Sequence, residues 1–224
     1  MSKEKKTYSS RPAETFNKYR SFFQILVCKF FYMIRFKLVY RLKVEGLENV
    51  PKDNKYVVCP NHLSTLDPPL MCAVMPRRVA FMAKQELFDI KFLRWWIDWL
   101  GAIAVNRESL GPSTVKTIKH IKESEWVLGM FPEGTRGIPG VISEVNKGFA
   151  GIARLTKCAI LPVGIVGTNE VKRLPFSGQI TVKIGKPIPY SDNPDLIISQ
   201  WIKSVEELTG FKHVEGGIQD SKGV

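Results

Sequence analysis

A chain of 224 residues with 44% hydrophobic content is long enough for one domain with a substantial buried core. Its net charge of +12 is concentrated at the start: residues 1–43 hold eleven Lys and Arg against two Glu and carry +9, which leaves +3 for the other 181 residues. A basic arm binds either nucleic acid or an anionic membrane, and the nearly balanced remainder argues against a groove for nucleic acid.

Two further classes of protein are excluded by composition. The longest early apolar stretch, residues 21–34, has fourteen residues and contains Gln24 and Lys29, whereas a membrane-spanning helix needs about 20 apolar residues. The four cysteines are scattered without a Cys-x-x-Cys spacing, which predicts neither a thiolate metal site nor a disulfide framework. We therefore expect neither a secreted protein nor a protein that spans a membrane.

Residues 14–35 show a helical repeat in which large apolar side chains recur every three or four positions. The repeat is formed by Phe16, Tyr19, Phe23, Leu26, Phe30 and Met33. An aromatic, amphipathic and cationic helix suits the headgroup region of an anionic bilayer; the alternative is that its apolar face packs on the domain. We predict a basic arm with a membrane-associating helix over residues 1–36, a main domain over 37–212 and a polar tail over 213–224.

Beyond this helix, strands and helices alternate along the chain. Strands are predicted at residues 38–44, 56–59, 79–83, 102–105, 126–131, 160–166 and 180–184. Helices are predicted at residues 85–100, 112–123, 147–156 and 194–208, the last capped by Asp192 or Asn193 and closed by Gly210. The pattern predicts an α/β protein, a layered domain with a largely parallel central sheet flanked by helices, plus the N-terminal amphipathic membrane-associating helix.

His62 follows the apolar strand predicted at residues 56–59, and Asp67 stands five positions later. On a continuous helix the two side chains would lie roughly 140° apart, so residues 63–66 must form a turn that brings the imidazole back to the carboxylate. There Asp67 can hold one tautomer of His62 and make its other nitrogen a general base. The alternative is an Asp that only caps a helix. Ser64 is disfavoured as a nucleophile, because a substrate hydroxyl can attack directly.

Cations at the ends of successive predicted strands suit an anion such as a phosphate. Lys84 and Arg107 each stand alone at the end of a predicted strand, and Arg136 ends a turn. In that turn Gly134 allows backbone amides to face outward, and Thr135 adds a hydroxyl. A plain surface turn is the alternative. The candidate substrate-binding residues around this anion site are Lys84, Arg107, Glu133, Gly134, Thr135 and Arg136. Functional residues of open α/β sheets gather where strands end, so we expect these groups beside His62.

The chain has no Gly-x-Ser-x-Gly elbow, no His-Glu-x-x-His, no Gly-x-Gly-x-x-Gly and no metal-ligand cluster, which predicts neither a metal nor a bound cofactor. Its motifs resemble those of the glycerolipid acyltransferases, in particular the 1-acyl-sn-glycerol-3-phosphate (lysophosphatidic acid) acyltransferases. The resemblance covers about residues 38–190 and rests on a His-x4-Asp motif at 62–67, a Lys at 84, an Arg-ended segment at 101–107, Phe-Pro-Glu-Gly-Thr-Arg at 131–136 and a proline-centred strand at 161–163.

This resemblance implies an enzyme that moves a fatty acyl group from acyl-CoA or acyl carrier protein to the sn-2 hydroxyl of lysophosphatidic acid, with no cofactor. It assigns base catalysis to His62 and the orientation of that base to Asp67. The acceptor's phosphate is assigned to a pocket shaped by the 133–136 turn and held by Lys84, Arg107 and Arg136. It also implies a peripheral or monotopic protein on the cytoplasmic face of the cell membrane, whose partner is the anionic membrane surface and not nucleic acid.

Two alternatives stay open at the level of sequence. One is the same chemistry on glycerol-3-phosphate or another lysolipid, because the motifs are shared widely. The other is a basic membrane-binding module without catalysis, in which His62 would be dispensable and residues 1–43 would carry all the binding. The sequence also leaves open the acyl donor, the preferred chain length, the depth of membrane insertion and the oligomeric state.

Overall fold

The computed structural model describes residues 9–105, 111–146, 148–171 and 178–215. Its centre is a seven-stranded sheet in the order β1-β8-β7-β2-β5-β3-β4, and a small two-stranded sheet pairs β6 with β9. The strands are β1 (Lys43–Glu45), β2 (Tyr56–Pro60), β3 (Val79–Lys84), β4 (Ile103–Val105), β5 (Val127–Gly129), β6 (Val141–Ile142), β7 (Ala159–Val166), β8 (Thr181–Ile184) and β9 (Lys212–His213).

Five neighbouring strands of the large sheet, from β7 to β4, run parallel. β8 is antiparallel to β7, and β1 is parallel to β8, so only these two strands at one end of the large sheet run the opposite way. The prediction of a largely parallel sheet is therefore confirmed. Because parallel strands end at the same edge, the C-terminal ends of β2, β3, β4 and β5 lie at one edge of the sheet.

Helices cover both faces of the sheet, as predicted. They are α3 (Asp67–Val74), α4 (Lys91–Trp99), α5 (Pro112–Glu123), α6 (Gly148–Thr156) and α7 (Pro194–Thr209). Alternate residues of β2 enter two different cores: Val57 and Cys59 join the core that contains Trp126 and Trp201, whereas Val58 joins the core that contains α3. A strand buried on both faces must be apolar throughout, which explains the uninterrupted apolar run of β2.

The N-terminal helical segment, residues 18–40, is continuous but irregular. It consists of α1 (Lys18–Gln24), a π-helix (Ile25–Tyr32) and α2 (Met33–Tyr40), and a short 3-10 helix (Ala13–Phe16) precedes it. The strand predicted over 38–44 is wrong in its first part, because residues 38–40 are helical and only Lys43–Glu45 form a strand. Phe36 and Tyr40 are one helical turn apart and both buried, so packing on the domain extends the helix beyond the predicted boundary at residue 36.

The face of the segment that packs on the domain includes residues outside the predicted apolar repeat. Gln24 is buried; its side chain donates to the carbonyls of Val79 and Leu100 and accepts from the Val79 N–H. Cys28 is also fully buried. The predicted apolar repeat is divided: Tyr19, Leu26 and Phe30 are exposed, whereas Phe16 is buried and Phe23 and Met33 pack against the core.

Several smaller predictions can be compared with the structure. The helix predicted over 85–100 is divided into a 3-10 helix (Gln85–Phe88) and α4. Asn193 caps α7 by accepting two backbone N–H groups, and Gly210 ends that helix with φ +77°, as expected. Residue 213, placed in the predicted tail, pairs with Ile142 in the small sheet. No helix in the described ranges is both long enough and apolar enough to cross a bilayer.

Candidate active site

His62 lies just beyond the end of β2, and the turn at 63–66 folds its ring onto Asp67, the first residue of α3. The His62 Nδ1 atom is 2.8 Å from Asp67 Oδ2, which confirms the geometry predicted for this pair. The same oxygen accepts the N–H groups of Leu63 and Ser64, each at 2.7 Å. Asp67 is completely buried, and these three donors compensate for the loss of water around its carboxylate. With Nδ1 engaged, Nε2 is the nitrogen of His62 left for a substrate.

The backbone of His62 is held from two sides. Its N–H donates to Glu133 Oε1 at 2.9 Å, and its carbonyl accepts the Gly137 N–H at 2.7 Å. The preceding residue, Asn61, is buried and exchanges two hydrogen bonds with the backbone of Ile165 on β7, at 2.7 and 3.0 Å. The position of the imidazole is therefore set by three separate parts of the chain, which limits its movement.

The plane of the imidazole is fixed by an aromatic stack. The His62 ring lies 3.9 Å from the Phe131 ring, with 20° between the planes, and Phe131 stacks in turn on Phe81 at 5.1 Å. A Cβ atom on Gly129 would come within 2.7 Å of the Phe81 ring. The glycine at the end of β5 thus leaves the space that Phe81 occupies behind Phe131.

Glu133 is a buried part of this framework. Its Oε1 accepts the His62 N–H, and its Oε2 accepts the Ser143 N–H at 2.9 Å. Burial raises the pKa of Glu133 to about 7, although the hydrogen bonds from the Ser143 and His62 amides lower it. With both oxygens turned to backbone amides and only 6% of the residue exposed, Glu133 braces the segment that carries the imidazole.

A cavity of about 150 Å³ opens beside the His62 ring. Its polar part includes Lys84, Gly134 and Asn146. Most of its wall is apolar and comes from β3, β4, α6 and the segments between them: Met82, Leu87, Val105, Met130, Phe149 and Ile152. A cation and an imidazole at one side of an apolar cavity suit a substrate that has a charged head and a hydrocarbon chain.

The predicted anion-binding residues take different places around this cavity. Lys84 and Gly134 line it, and Gly134 adopts φ +72°, the left-handed conformation that glycine accepts readily. Thr135 and Arg136 follow in the same turn but do not line the cavity, and the Arg136 side chain is exposed. Lys84 also pairs with Glu86 at 3.1 Å. Arg107 lies outside the described residues.

Sequence reasoning missed several residues that shape the site. Phe131 belongs to the quoted Phe-Pro-Glu-Gly-Thr-Arg motif, but only its contact with His62 gives it a role. Asn146 lines the cavity beside Gly134, and its side chain accepts the Gly148 N–H at the start of α6. No spacing in the sequence signals Asn146, because it comes from a loop brought in by tertiary structure.

Comparison with known proteins shows the family to which the chain belongs. A family model described as acyltransferase matches residues 41–166. The 1-acyl-sn-glycerol-3-phosphate acyltransferase of Bacillus subtilis is 34% identical over 153 residues, which cover 67% of this chain and 75% of the relative. The enzyme of the same name from Streptococcus pneumoniae is 35% identical over 63% of this chain, but the aligned part spans only 53% of that relative.

A solved structure extends the comparison to the fold. The crystal structure of the 1-acyl-sn-glycerophosphate (LPA) acyltransferase PlsC from Thermotoga maritima superposes with a TM-score of 0.68 and 28% identity, covering 85% of this chain and 81% of the other. Fold and family model together define an acyltransferase. The chain belongs to the 1-acyl-sn-glycerol-3-phosphate acyltransferase family.

Proposed function

We propose that this protein transfers a fatty acyl group from an acyl thioester to the sn-2 hydroxyl of lysophosphatidic acid and forms phosphatidic acid. The observation that carries the proposal is the buried Asp67 carboxylate 2.8 Å from His62 Nδ1, with the ring at the wall of a largely apolar cavity. Membership of the family supports the reaction class, and the relatives from Bacillus subtilis and Streptococcus pneumoniae, both named for this acceptor, support the acceptor.

The proposed reaction needs one base and no protein nucleophile. His62 Nε2 takes the proton of the acceptor hydroxyl while that oxygen attacks the thioester carbonyl carbon. The Asp67 carboxylate stabilises the imidazolium that forms. The carbon–sulfur bond then breaks, the new ester remains on the acceptor, and the leaving thiolate receives the proton from the imidazolium. Ser64 takes no covalent part; its N–H is bound to Asp67.

The acceptor's phosphate would bind near Lys84 and the 133–136 turn. Lys84 is the cation that lines the cavity beside His62 among the described residues. Arg136, two residues beyond Gly134, is exposed and would reach a phosphate at the outer side of the turn. We propose Arg107 as a third cation, on the sequence motif alone. Glu133 has a positioning role, because its carboxylate holds the His62 backbone and does not line the cavity.

We also propose that the protein associates with anionic membrane as a peripheral or monotopic enzyme on the cytoplasmic face of the cell membrane. Residues 18–40 contain five Lys and Arg and no acidic residue. They leave a set of large apolar side chains exposed to solvent: Tyr19, Phe22, Ile25, Leu26, Phe30, Phe31, Ile34 and Leu38. Exposed apolar surface of this extent with a basic surround suits lipid headgroups.

The test is acyl transfer from oleoyl-CoA with lysophosphatidic acid and glycerol-3-phosphate supplied separately. Wild-type protein is expected to form phosphatidic acid, whereas His62→Ala should lose roughly two to four orders of magnitude in rate and keep its fold. His120→Ala is the control, because His120 bonds to the Arg11 carbonyl far from the cavity. Preference for glycerol-3-phosphate would identify that compound as the acceptor in place of lysophosphatidic acid. If no product forms from oleoyl-CoA, the assay is repeated with acyl carrier protein as the donor. Full activity in His62→Ala would overturn the mechanism.

A further inference from the structure

Helix α4 (Lys91–Trp99) is apolar in sequence but not buried. Six of its nine residues are apolar, three of them Trp, yet none is buried. Phe92 is 79% exposed and Trp95 50% exposed, and Ile90, just before the helix, is 56% exposed. Large apolar side chains normally provide the buried core of a domain, so this helix presents its apolar surface outward.

The inner side of α4 is firmly attached to the N-terminal helical segment. The Phe23 ring lies 6.1 Å from Trp95, 6.0 Å from Trp96 and 5.4 Å from Trp99. Arg20 pairs with Asp98 at 3.1 Å, and its guanidinium lies 5.4 Å from the Trp99 ring. These contacts hold the helix on the domain, and Phe92 and half of Trp95 remain exposed to solvent on this anchored element.

The exposed apolar surface is continuous along the chain with the cavity. Leu87 lines the cavity beside His62 and is also exposed. Ile90 and Phe92 follow it within five residues. A residue of the cavity wall is therefore followed within a few positions by the exposed apolar residues of α4.

The charge of this surface favours an anionic bilayer over a second copy of the chain as its partner. The N-terminal helical segment, which α4 contacts, carries five cations and no acid, and α4 adds Lys91 and Arg94 against Asp98. Two copies of such a surface would repel each other, whereas an anionic bilayer would attract it. Tryptophan and phenylalanine beside Lys and Arg are the side chains that suit the boundary between headgroups and acyl chains.

We infer that α4 is a second membrane-contacting element, in which Phe92 and Trp95 enter the headgroup boundary of an anionic phospholipid bilayer and place the Leu87 side of the cavity against the lipid. A lysophospholipid then passes sideways from the bilayer into the site without leaving the apolar environment. The inference rests on the proposed function for the identity of the acceptor, but the contact of α4 with lipid does not.

The experiment compares wild type, the double variant Phe92→Gln/Trp95→Gln and the control Leu196→Gln, in which an exposed leucine on α7 is changed instead. Binding to phosphatidylglycerol vesicles is expected to weaken at least tenfold in the double variant and to stay at the wild-type level in the control. Acyl transfer to lysophosphatidic acid held in these vesicles should fall by a similar factor. Transfer to a short-chain, monomeric lysophosphatidic acid should not change.

The outcomes separate this inference from the proposed function. If wild type makes no product from either acceptor, the proposed function fails, and vesicle binding alone still tests α4. If the double variant binds vesicles like wild type, the inference is overturned. Sedimentation velocity examines a second copy as occupant: a wild-type dimer that the double variant loses, with vesicle binding unchanged, would also overturn it.

A second measurement does not depend on the stability of the double variant. Lipids brominated near the headgroup should quench wild-type tryptophan fluorescence, and Trp95→Phe, which keeps an aromatic ring, should reduce the quenched fraction. Trp126 and Trp201 are buried in the domain core and serve as internal unquenched fluorophores. Equal quenching in wild type and Trp95→Phe would show that Trp95 does not meet the lipid and would overturn the inference.

Discussion

Charged groups are normally exposed in a folded protein and large apolar side chains are normally buried. The edge of the sheet around His62 departs from the first rule, and the outer surface of α1 and α4 departs from the second. At the edge, two carboxyl groups are buried: Asp67 is 0% exposed and Glu133 6%. On the outer surface, large rings face solvent instead, with Phe92 79% exposed. Both arrangements cost folding free energy. A substrate with a charged head and an acyl chain requires both, which is a functional reason for each cost.

The two regions differ in how that cost is offset. Asp67 Oδ2 has three hydrogen-bond partners and the two oxygens of Glu133 have one each, so hydrogen bonds offset part of the cost of burying these carboxyl groups. The exposed rings have no comparable compensation on their outer side, and only contact with an apolar medium would offset their exposure. The site holds one geometry through hydrogen bonds, whereas the outer surface is proposed to attach to lipid, so the two regions should respond differently to substitution.

The largest effect is expected at the site, for Asp67→Asn. The carboxamide can still accept from the Leu63 and Ser64 amides, but it lacks the charge that stabilises an imidazolium. We expect kcat to fall by about three orders of magnitude, with vesicle binding unchanged. The measurement is acyl transfer beside Asp53→Asn, a change of an exposed carboxylate. More than a tenth of wild-type activity in Asp67→Asn would refute the general-base assignment.

A pH effect on stability is expected from Glu133. Burial raises its pKa to about 7 from the ordinary 4.5, so between these values the folded protein holds a proton that the unfolded chain has released. Protonated Glu133 stabilises the folded protein fully at pH values below its pKa in the unfolded chain. This stabilisation is lost as the pH rises through the pKa of Glu133 in the folded protein, about 7. Relative to Glu133→Gln, wild type should lose up to about 3 kcal/mol of unfolding free energy over this interval.

Urea denaturation between pH 4 and 8 provides the measurement for that effect. Glu123→Gln is the matched control, because Glu123 is exposed; this variant should follow wild type at every pH. A constant difference between wild type and Glu133→Gln across the whole range would show that Glu133 does not take up a proton on folding.

On the outer surface, the double change Phe22→Gln/Phe30→Gln should weaken binding to anionic vesicles at least tenfold, since burying one Phe side chain contributes about 1.5–3 kcal/mol. Activity on a monomeric short-chain acceptor should be retained, in contrast to Asp67→Asn. Co-sedimentation beside Leu47→Gln, an exposed leucine near β1, provides the comparison. Equal vesicle binding in all three proteins would remove the N-terminal helical segment from the membrane surface.

The smallest effects are expected for the cations near the 133–136 turn. Because Lys84 lines the cavity and Arg136 does not, Lys84→Ala should raise the KM for lysophosphatidic acid about tenfold and Arg136→Ala about threefold, in the range of one charge-assisted hydrogen bond. Steady-state kinetics in dispersed acceptor measures both. The reverse order would mean that the phosphate binds on the outer side of the turn.

The sequence indicated much of the site because its residues are close in the chain or fall at strand ends. The His62–Asp67 pair is separated by four residues, and strand–helix alternation places residues such as Lys84 and Gly134 at one edge of a parallel sheet. Glu133 was predicted only as a substrate-binding residue, and the sequence could not indicate that its carboxylate accepts the backbone N–H groups of His62 and Ser143. Such contacts join segments far apart in the chain.

The helical repeat at the N-terminus is a second case in which the sequence could not show a contact between distant segments. Periodicity correctly predicted a helix, but it could not decide which face of that helix is buried, because a strongly aromatic segment has apolar residues on every side. The domain selected the face with Gln24 and Cys28, where Gln24 completes the hydrogen bonds of Val79 and Leu100.

The sequence by itself determined the alternation of elements, the parallel sheet and the positions of His62 and Asp67, because these follow from local patterns of polarity and from residues next to strand ends. Only the tertiary structure decided that Phe131 fixes the imidazole plane, that Glu133 braces its backbone and that α4 remains exposed. The physical reason is that burial and hydrogen-bond partners depend on pairs of distant segments, and no single stretch of chain contains that information.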